Sequence, residues 1–237
     1  MSLLVRTWNL FHGNATPPER RGFLEEMVRL VASDGPDVVC LQEVPVWALR
    51  RLEGWSGMTA FGAVAARPRA WSAELGRLVT ELDHGLLRSA LTGQANAILL
   101  SRSLHARDER ALVVSRGGER RVCQAVRVAG VGLVGNFHVT GGRVADEQFL
   151  RAAAFVDALA EPEEPVILAG DVNVRPGTGD TYGELRDWGF SQPLAGSIDQ
   201  ILVRNAPSTH PEAWPVERRR VDGRLVSDHA PVELHVG

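Results

Sequence analysis

Lysine is absent from this chain of 237 residues, so all 26 of its basic residues are arginines. An all-arginine composition is typical of coding in a GC-rich genome and does not by itself indicate a functional requirement. Because the 29 acidic residues outnumber the arginines, the formal net charge is -3. This balance excludes a global positive field that would draw in nucleic acid, although a local arginine patch can still bind it.

Cysteine is also scarce, with only Cys40 and Cys123. Both lie inside apolar, strand-like runs, and their separation fits neither a metal-binding nor a redox motif. The sequence has no Cys/His cluster suited to zinc and no evident arrangement of a nucleophilic serine or cysteine with a base. We therefore predict two buried thiols in a reducing compartment.

Long hydrophobic runs are missing, since nowhere do about 18 apolar residues follow one another. The amino terminus lacks the charged leader and apolar core of a signal peptide. These absences predict a cytoplasmic protein with no transmembrane segment. Hydrophobic residues make up 44% of the chain and charged residues 23%, as in ordinary globular proteins. The length then favours a single domain spanning residues 1–237.

The stretch from Val166 to Gly177 organises the rest of the sequence. Its unbroken apolar run predicts a buried strand that stops at Gly170, and Asp171 and Asn173 follow two positions apart. In extended backbone these two side chains face the same way, so that a carboxylate and a carboxamide can hold a water and a phosphoryl oxygen. On this stretch alone, an Asx-turn that closes the strand is the commoner explanation.

Polar residues also stand at the ends of other predicted strands. Asn9 ends the opening strand, and Glu43 emerges from the carboxyl end of a short buried strand. Asn136 and His138 share one face of a later strand. The remaining members of this set are Asp199, Asp228 and His229. Carboxylate and amide oxygens suit hard cations such as Mg²⁺ or Mn²⁺, which keep several waters and bind phosphate, so the set favours metal-assisted hydrolysis of a phosphoester.

Hydrophobic periodicity predicts a chain that mixes helices and strands. Strands are predicted at residues 3–10, 37–41, 58–64, 96–100, 111–114, 122–128, 131–139, 166–169 and 197–203 and at the end of the sequence. Helices are predicted from Pro17 to about residue 33 and at 46–52, 144–160 and 180–188, with helix-like spacing at 71–91. Segment 45–92 is the least regular, and we expect substrate preference to be encoded there.

Seven short motifs occur in one order along nearly the whole chain. They are Thr7-Trp8-Asn9, Leu41-Gln42-Glu43-Val44, the stretch Asn96 to Arg102, Asn136-Phe137-His138, Gly170-Asp171-Val172-Asn173, the stretch Ser197 to Ile201 and the stretch Ser227 to Val232. Each motif alone is weakly specific, but in the ordered set the sequence resembles the endonuclease/exonuclease/phosphatase family. These metal-dependent phosphoesterases include pancreatic deoxyribonuclease, abasic-site endonucleases, bacterial sphingomyelinase and inositol polyphosphate 5-phosphatases. The sequence departs from the family at Val172, where a bulkier residue is usual.

The resemblance implies an α/β fold, a four-layer α/β/β/α sandwich in which two packed mixed β-sheets carry helices on their outer faces. It places the active site at one edge of the sandwich. It also implies Mg²⁺ (or Mn²⁺) as the cofactor, with Glu43 as the main metal carboxylate and Asn9 and Asp228 assisting it. Whether one or two ions bind is left open by the sequence.

The resemblance further implies five catalytic residues. Asp171 would orient or deprotonate the attacking water, and Asn173 would hydrogen-bond a phosphate oxygen. His229, held by Asp199, would stabilise negative charge in the transition state. His138 stands where the deoxyribonuclease and sphingomyelinase branches carry a second catalytic histidine, which protonates the leaving oxygen or binds phosphate.

The partners of His138 are not evident from the sequence. No carboxylate that would orient it stands out, and Glu74 and Glu81 are the candidates. Abasic-site endonucleases carry no histidine at this position, which argues against that branch. The other histidines have no support from the motifs and are expected to be bystanders: His12, His84, His105, His210 and His235.

Arginines near the motifs are the candidates for substrate binding. By analogy with the family, Arg102, Arg175 and Arg219 would contact the phosphate, and the run 218–220 could form a rim before the Asp-His loop. For each one, a solvated surface position is the simpler expectation. Trp71 and Trp214 are candidates for stacking on a base, although aromatic residues more often belong to the core.

Taken together, the sequence predicts a Mg²⁺-dependent phosphoesterase, a phosphoric ester hydrolase that cleaves a P–O bond by direct attack of water. Its partner is a phosphoester substrate, and nucleic acid, a small metabolite and a lipid headgroup are the candidates. A monomer is assumed, because the sequence does not indicate the oligomeric state. A DNA or RNA endonuclease or exonuclease is the sharper alternative, which the weak overall charge disfavours. A non-catalytic binding module that keeps the fold is the alternative from a different class. Every matched catalytic position holds a competent residue, which argues against the binding module.

Overall fold

The structure is a computed structural model that describes residues 2–68 and 92–237. Within these residues the strands form two large sheets and one two-stranded ribbon. The first sheet has the order β10-β13-β1-β2-β4-β3, the second β5-β6-β7-β8-β9, and the ribbon β11-β12. The strands are β1 Leu3–Asn9, β2 Val38–Val44, β3 Thr59–Ala66, β4 Gln94–Leu100, β5 Ala106–Val113, β6 Val122–Val128, β7 Gly132–His138, β8 Val166–Asp171, β9 Asp199–Arg204, β10 Glu212–Ala213, β11 Arg220–Val221, β12 Arg224–Leu225 and β13 Val232–Val236.

The helices within the described residues are short except for one. They are α1 Leu24–Val31, α2 Leu52–Ser56, α3 Ala145–Leu159 and α4 Thr181–Asp187, with 3₁₀ turns at Phe11–Gly13, Val46–Arg51 and Val216–Arg219. The helix predicted from Pro17 begins only at Leu24, since consecutive prolines favour extended backbone before them. In the described parts of the chain, no helix has the length and apolar character needed to cross a membrane. The helix-like spacing predicted at 71–91 lies outside the described residues.

Three apolar layers separate the elements. One lies between the first sheet and α1 and α2, one between the two sheets, and one between the second sheet and α3 and α4. Representative residues are, in that order, Trp8 with Met27, Ile98 with Ile167, and Phe137 with Phe149. Because each central strand is covered on both faces, its sequence is almost continuously apolar. The predicted α/β/β/α sandwich with two mixed sheets is confirmed.

The strand faces that meet between the two sheets change character towards one edge. Side chains alternate along a strand, so every second residue points into this central layer. In order towards that edge, the inward residues are Val5, Thr7 and Asn9 in β1; Val38, Cys40 and Gln42 in β2; Ile98, Asn96 and Gln94 in β4; Val134, Asn136 and His138 in β7; Ile167, Ala169 and Asp171 in β8; and Val203, Ile201 and Asp199 in β9. The polar ends of all six strands therefore converge.

A buried polar layer joins the two sheets just behind that edge. Gln42 Nε2 donates to Asn136 Oδ1 across the interface at 2.8 Å and to Thr7 Oγ1 at 3.0 Å. Asn136 Nδ2 donates to the carbonyls of Leu41 and Ala97 at 3.0 and 2.8 Å. Buried polar groups are stable when hydrogen-bonded, so these contacts fix the relative position of the sheets. Asn136, which belongs to one of the family motifs, thus has a structural role.

Candidate active site

Three of the predicted catalytic residues lie in one row across the second sheet. In the register of parallel strands β7 and β8, His138 is opposite Asp171. In the antiparallel pair of β8 and β9, Asp171 is opposite Asp199. The row stands at the carboxyl ends of β7 and β8, where parallel strands commonly present functional side chains. The strand pairing therefore brings these side chains together without help from a loop.

Gly170 sets the spacing of β7 and β8 in this row. Its φ is +154°, and a Cβ atom added to it would lie 1.9 Å from the carbonyl oxygen of Phe137. Only glycine permits so close an approach of one backbone to another. The glycine immediately before Asp171 is therefore required by the packing of the strands that carry the site.

The carboxylate of Asp171 is at the centre of the site and is 1% exposed. Asn9 Nδ2 donates to its Oδ2 at 2.9 Å, and the backbone N–H of Asn173 donates to its Oδ1 at 3.1 Å. Nε2 of His138 and Nε2 of His229 lie 3.3 and 3.7 Å from Oδ2. Burial, followed by the charge of Asp199, raises the pKa of Asp171 to about 7, against the opposing effects of His229, Asn9 and Asn173. A carboxylate with this pKa can accept a proton near neutral pH.

His229 and Asp199 form a buried ion pair beside Asp171. Nδ1 of His229 lies 2.8 and 3.1 Å from the two carboxylate oxygens of Asp199. Burial alone would lower the pKa of His229, but the hydrogen bond and charge of Asp199, with the charges of Asp171 and Asp228, raise it to about 9. His229 is therefore an imidazolium at neutral pH, and its Nε2–H is a cationic donor facing the site.

The loop that carries Asp228 and His229 is held against strand β1. The carbonyl of His229 accepts hydrogen bonds from Trp8 Nε1 at 3.0 Å and from Arg219 Nη1 at 2.8 Å. Ser227 Oγ donates to the carbonyl of Asn9 at 2.7 Å and accepts from the backbone N–H of His229 at 3.0 Å. Arg219, predicted to contact phosphate, is only 8% exposed and is engaged with this loop.

Glu43, the main predicted metal ligand, has a half-buried side chain that is 19% exposed. It lies within β2, at the irregularity between Leu41 and Val44, and has a left-handed φ of +53°. Burial raises the pKa of Glu43, the hydrogen bond from Asn9 and the charges of Arg121 and His229 lower it, and the charge of Asp228 adds a smaller increase. A divalent cation would relieve both the burial cost and the repulsion between the carboxylates. Asn9 Oδ1 accepts from the Phe11 N–H at 2.9 Å and retains a second lone pair for a metal. These oxygen donors suit Mg²⁺ or Mn²⁺.

His12, which was expected to be a bystander, lies beside Glu43. Its Nε2 lies 3.4 Å from Oε2 of Glu43, and the residue is 5% exposed. His12 and the preceding Phe11 both have positive φ, at 54° and 49°. Such conformations are rare for residues other than glycine, and they turn the chain after β1 back towards Glu43.

A second possible set of metal ligands is Asp171, Asp199 and His229. One ligand atom from each of these residues lies within 4.8 Å of the ligand atoms of the other two. Metal ligation requires a neutral imidazole. His229 is instead protonated and bound to Asp199. In the metal-free protein the ion pair with Asp199 therefore occupies this group, and the ligands predicted from the sequence, Glu43, Asn9 and Asp228, are the alternative metal site.

Asn173 is held at the edge of the site by the loop that follows β7. Its φ is +48°, and its Nδ2 donates to the carbonyl of Val139 at 3.0 Å. A Cβ atom on Gly141 would lie 3.3 Å from its Oδ1, so this loop also approaches the amide closely. Arg175, two residues further, is exposed and donates to the carbonyl of Gly196 at 3.3 Å. It remains the one predicted arginine near the site that is open to solvent.

The prediction that Arg102 contacts the phosphate is wrong because of the direction of β4. This strand is antiparallel to β2, so its first residue, Gln94, lies at the site and its last, Leu100, pairs with Val38. Val38 is five residues before Glu43, roughly 16 Å along the strand at about 3.3 Å per residue. Arg102 lies beyond that far end and donates to the carbonyl of Gly57.

The arginine run 218–220 and Trp214 are engaged in packing. The guanidinium of Arg218 lies 3.6 Å from the ring centroid of Trp214 and pairs with Glu233 at 2.9 Å. Arg220 donates to the carbonyl of Gly223. Trp214 is 4% exposed, so it belongs to the core and cannot stack on a base without rearrangement. The predicted arginine rim is not formed, and Trp71 lies outside the described residues.

The partners of His138 Nδ1 in the described residues are Gln94 and Arg121. The two carboxylates suggested from the sequence, Glu74 and Glu81, lie outside the described residues, as does His84. Gln94 could have been predicted from the sequence, because it continues the alternation that places Ile98 and Asn96 on the inward face of the strand. Arg121 could not have been predicted, because its position depends on how the hairpin of β5 and β6 packs.

The family model for the endonuclease/exonuclease/phosphatase family matches residues 7–229. The chain belongs to this family. The match begins in β1 and ends at His229, so it includes every assigned residue of the site. Members of the endonuclease/exonuclease/phosphatase family act on phosphoesters and generally depend on divalent metals. No curated protein sequence matches the chain at a significant level.

Solved structures share the fold of this endonuclease/exonuclease/phosphatase protein at low sequence identity. An endonuclease/exonuclease/phosphatase from Beutenbergia cavernae is 16% identical with a TM-score of 0.71, covering 99% of this chain and 71% of that one. A mannosyl-6-phosphatase from Bacteroides thetaiotaomicron is 18% identical with a TM-score of 0.66, covering 99% of each chain. TDP2 from Caenorhabditis elegans is 16% identical with a TM-score of 0.63, covering 100% and 74%. These similarities establish the fold.

The two raised pKa values predict how the metal-free protein responds to pH. The pKa of Asp171 rises from 3.8 to about 7 and that of His229 from 6.5 to about 9, so the folded state binds these protons more tightly than the unfolded chain. The stability that each contributes is complete below its unfolded pKa and is lost as pH rises through its folded pKa. The contribution of Asp171 is thus lost between pH 3.8 and about 7, and that of His229 between pH 6.5 and about 9. We expect thermal unfolding in a chelator to shift to lower temperature as pH rises from about 6.5 to about 9, chiefly through His229. An unfolding temperature that does not change with pH would contradict the raised pKa values. The variant His229→Asn should show a weaker dependence of the unfolding temperature on pH.

Proposed function

We propose that the protein is a divalent-metal-dependent phosphoesterase that hydrolyses its substrate by direct attack of water. The arrangement around Asp171 carries this proposal. A buried carboxylate with a pKa of about 7 lies 3.7 Å from the imidazolium of His229, and the metal-ligand residue Asn9 donates to it. A base, a fixed cation and an oxygen-rich metal site at one edge of the sandwich are the parts that hydrolysis of a phosphoester requires.

Asp171 accepts a proton from the attacking water as the water oxygen bonds to phosphorus. The bond from phosphorus to the leaving oxygen breaks, that oxygen takes a proton from solvent, and Asp171 later returns its own proton to solvent. Negative charge builds on the phosphoryl oxygens during this displacement. The Nε2–H of His229 and the amide of Asn173 are the donors available to stabilise that charge.

Glu43, Asn9 and Asp228 are the residues that would hold the metal. A bound Mg²⁺ or Mn²⁺ would neutralise charge on the phosphate and orient it. Asn9 connects the metal ligands to the base, because its amide donates to Asp171 and takes part in a hydrogen bond with Glu43. The side chain of Asp228 is 44% exposed, so this ligand stands at the solvent side of the site.

A small phosphoester is the substrate class that the described residues favour. Nucleic acid binding relies on basic side chains that line a groove. Of the arginines considered for that task, Arg102 is remote and those at 218–220 are tied to internal partners, which leaves Arg175. One structural relative is a mannosyl-6-phosphatase, so a sugar phosphate is a suitable first substrate. A nuclease remains the second candidate, to be decided by assay.

The test is a panel of plasmid DNA, RNA, phospholipid and sugar phosphates, each assayed with Mg²⁺, with Mn²⁺ and with a chelator. We expect hydrolysis that requires metal and is fastest on a small phosphoester. Faster cleavage of DNA or RNA would show that the protein is a nuclease and not an enzyme for a small phosphoester. Absence of hydrolysis on every substrate would favour a binding module, and hydrolysis that persists in a chelator would contradict the metal mechanism.

Glu43→Gln is expected to weaken Mg²⁺ binding at least about tenfold, because it removes the charge that faces the metal. Calorimetric titration of the purified variant would measure this change independently of activity. The matched control is Glu212→Gln, in which the replaced carboxylate is exposed on β10. Equal affinities of the wild type and Glu43→Gln would remove Glu43 from the ligand set.

We further propose that the protein acts as a monomer in the cytoplasm. Cys40 and Cys123 are buried free thiols, and burial raises the pKa of both. Unpaired, inert thiols are compatible with a reducing compartment.

A further inference from the structure

His138 is enclosed between Asp171 and a cation. The residue is 3% exposed, and Nη1 of Arg121 lies 2.7 Å from its Nδ1. On the opposite side of the ring, Nε2 lies 3.3 Å from Oδ2 of Asp171. A histidine in a catalytic pair usually faces a carboxylate through the nitrogen remote from the reaction. Here that nitrogen faces an arginine.

The chemistry of the guanidinium decides which ring nitrogen carries the hydrogen. Arginine has donors only, so the 2.7 Å contact forms with a lone pair on Nδ1. A neutral ring with an unprotonated Nδ1 carries its hydrogen on Nε2. That hydrogen then faces Asp171. An imidazolium at this position would set an N–H against the guanidinium and would leave two buried cations in contact.

Arg121 is itself fixed by two neighbours. Its Nη2 donates to Oε2 of Glu119 at 2.8 Å, and the residue is 7% exposed. The amide of Gln94 satisfies the most partners when its nitrogen donates to Oε1 of Glu119 at 2.9 Å and its oxygen accepts from Nη1 of Arg121 at 2.7 Å. In this orientation the Gln94 oxygen also lies 3.1 Å from Nδ1 of His138, where it competes as an acceptor with the shorter donor contact of 2.7 Å from Arg121. The glutamate thus holds the arginine, and the arginine holds the histidine. Burial, and then the charge of Arg121, keeps the pKa of His138 well below its usual value.

We propose that Arg121 is a positioning residue of the site, which keeps His138 in its neutral Nε2–H form so that the ring orients Asp171 and does not supply the leaving-group proton. This inference rests on the proposed hydrolytic function and assigns a part within it. It departs from the role expected for His138 from the sequence, where the ring was a candidate proton donor. Asp171 then accepts from two neutral donors, Asn9 Nδ2 and the Asn173 N–H, and His138 Nε2 lies 3.3 Å from its Oδ2.

The test combines the hydrogen position on His138 with kinetics. In ¹⁵N-histidine-labelled, metal-free protein at neutral pH, the His138 signal is identified by its loss in His138→Gln. We expect Nδ1 to be unprotonated and Nε2 to carry hydrogen in the wild type. In Arg121→Met, Nδ1 should become protonated, and kcat should fall roughly 10- to 100-fold with little change in KM, as for loss of a supporting partner. Arg121→Lys, which keeps a cationic donor, should restore part of both properties.

The matched control is Arg120→Met, which removes the adjacent arginine, an exposed side chain that donates to the carbonyl of Ala65. It should change neither the His138 signal nor kcat. A hydrogen on Nδ1 in the wild type would overturn the proposal, as would an Arg121→Met variant whose His138 signal and kcat match the wild type. If Arg121→Met does not fold, the wild-type signal and Arg121→Lys still decide. Failure of the proposed function would appear separately, as wild-type protein that hydrolyses nothing.

Discussion

Replacing Asp171 with asparagine is expected to lower the kcat of metal-dependent hydrolysis by about 10²- to 10⁴-fold, the usual contribution of a positioned base. The variant keeps the size of the side chain but cannot accept the water proton. It also places an amide where Asn9 and the Asn173 N–H both donate. The loss should therefore appear in kcat measured under saturating metal, while circular dichroism reports an unchanged fold.

Asp187→Asn is the matched control for this experiment, because Asp187 is exposed at the end of α4 and the same chemical change there should leave kcat unchanged. An Asp171→Asn enzyme within threefold of the wild type would show that another group activates the water. The same outcome would remove the observation on which the proposed function rests.

Replacing His229 with asparagine is expected to lower kcat about 10²- to 10³-fold, the cost typical of losing one donor to a developing negative charge. The imidazolium is held by Asp199 at 2.8 Å, so Asp199→Asn should cause much of the same loss. In the double variant the two losses should not add, because both substitutions remove one ion pair. Steady-state kinetics of the two single variants and the double variant would measure this coupling.

His235→Asn is the control for the histidine substitution, since His235 is exposed on β13. Losses at His229 and Asp199 that add fully would show that the two residues act independently. In that case, the role of Asp199 in holding the cation would have to be abandoned.

The order of elements and most of the catalytic row were predictable from the sequence, because strand periodicity is a local property. The alternation in β7 placed Asn136 and His138 on one face, and the end of β8 placed Asp171 beyond a buried run. The motif order, through the resemblance to the family, indicated that side chains from distant strands belong to one site. The start of α1 was misplaced because local propensity at the two prolines does not show where the following helix begins.

The errors in the site come from information that is not local. Arg102 was misassigned because the direction of β4 relative to β2 depends on sheet topology. The burial of Arg219 was not predicted because it depends on how the Asp-His loop packs on Trp8. His12 was overlooked because a positive φ turns it towards Glu43, and neither periodicity nor motif order encodes that turn.

The division of the site between two sheets has a consequence for folding. Asn9 and Glu43 belong to the first sheet, whereas His138, Asp171 and Asp199 belong to the second. The first sheet is itself assembled from distant segments, since β13 pairs with β1 across more than 200 residues. Contacts of such long sequence separation form slowly. Neither sheet alone holds a working set of residues, so recovery of hydrolysis during refolding would report the docking of the two sheets and not the formation of either one.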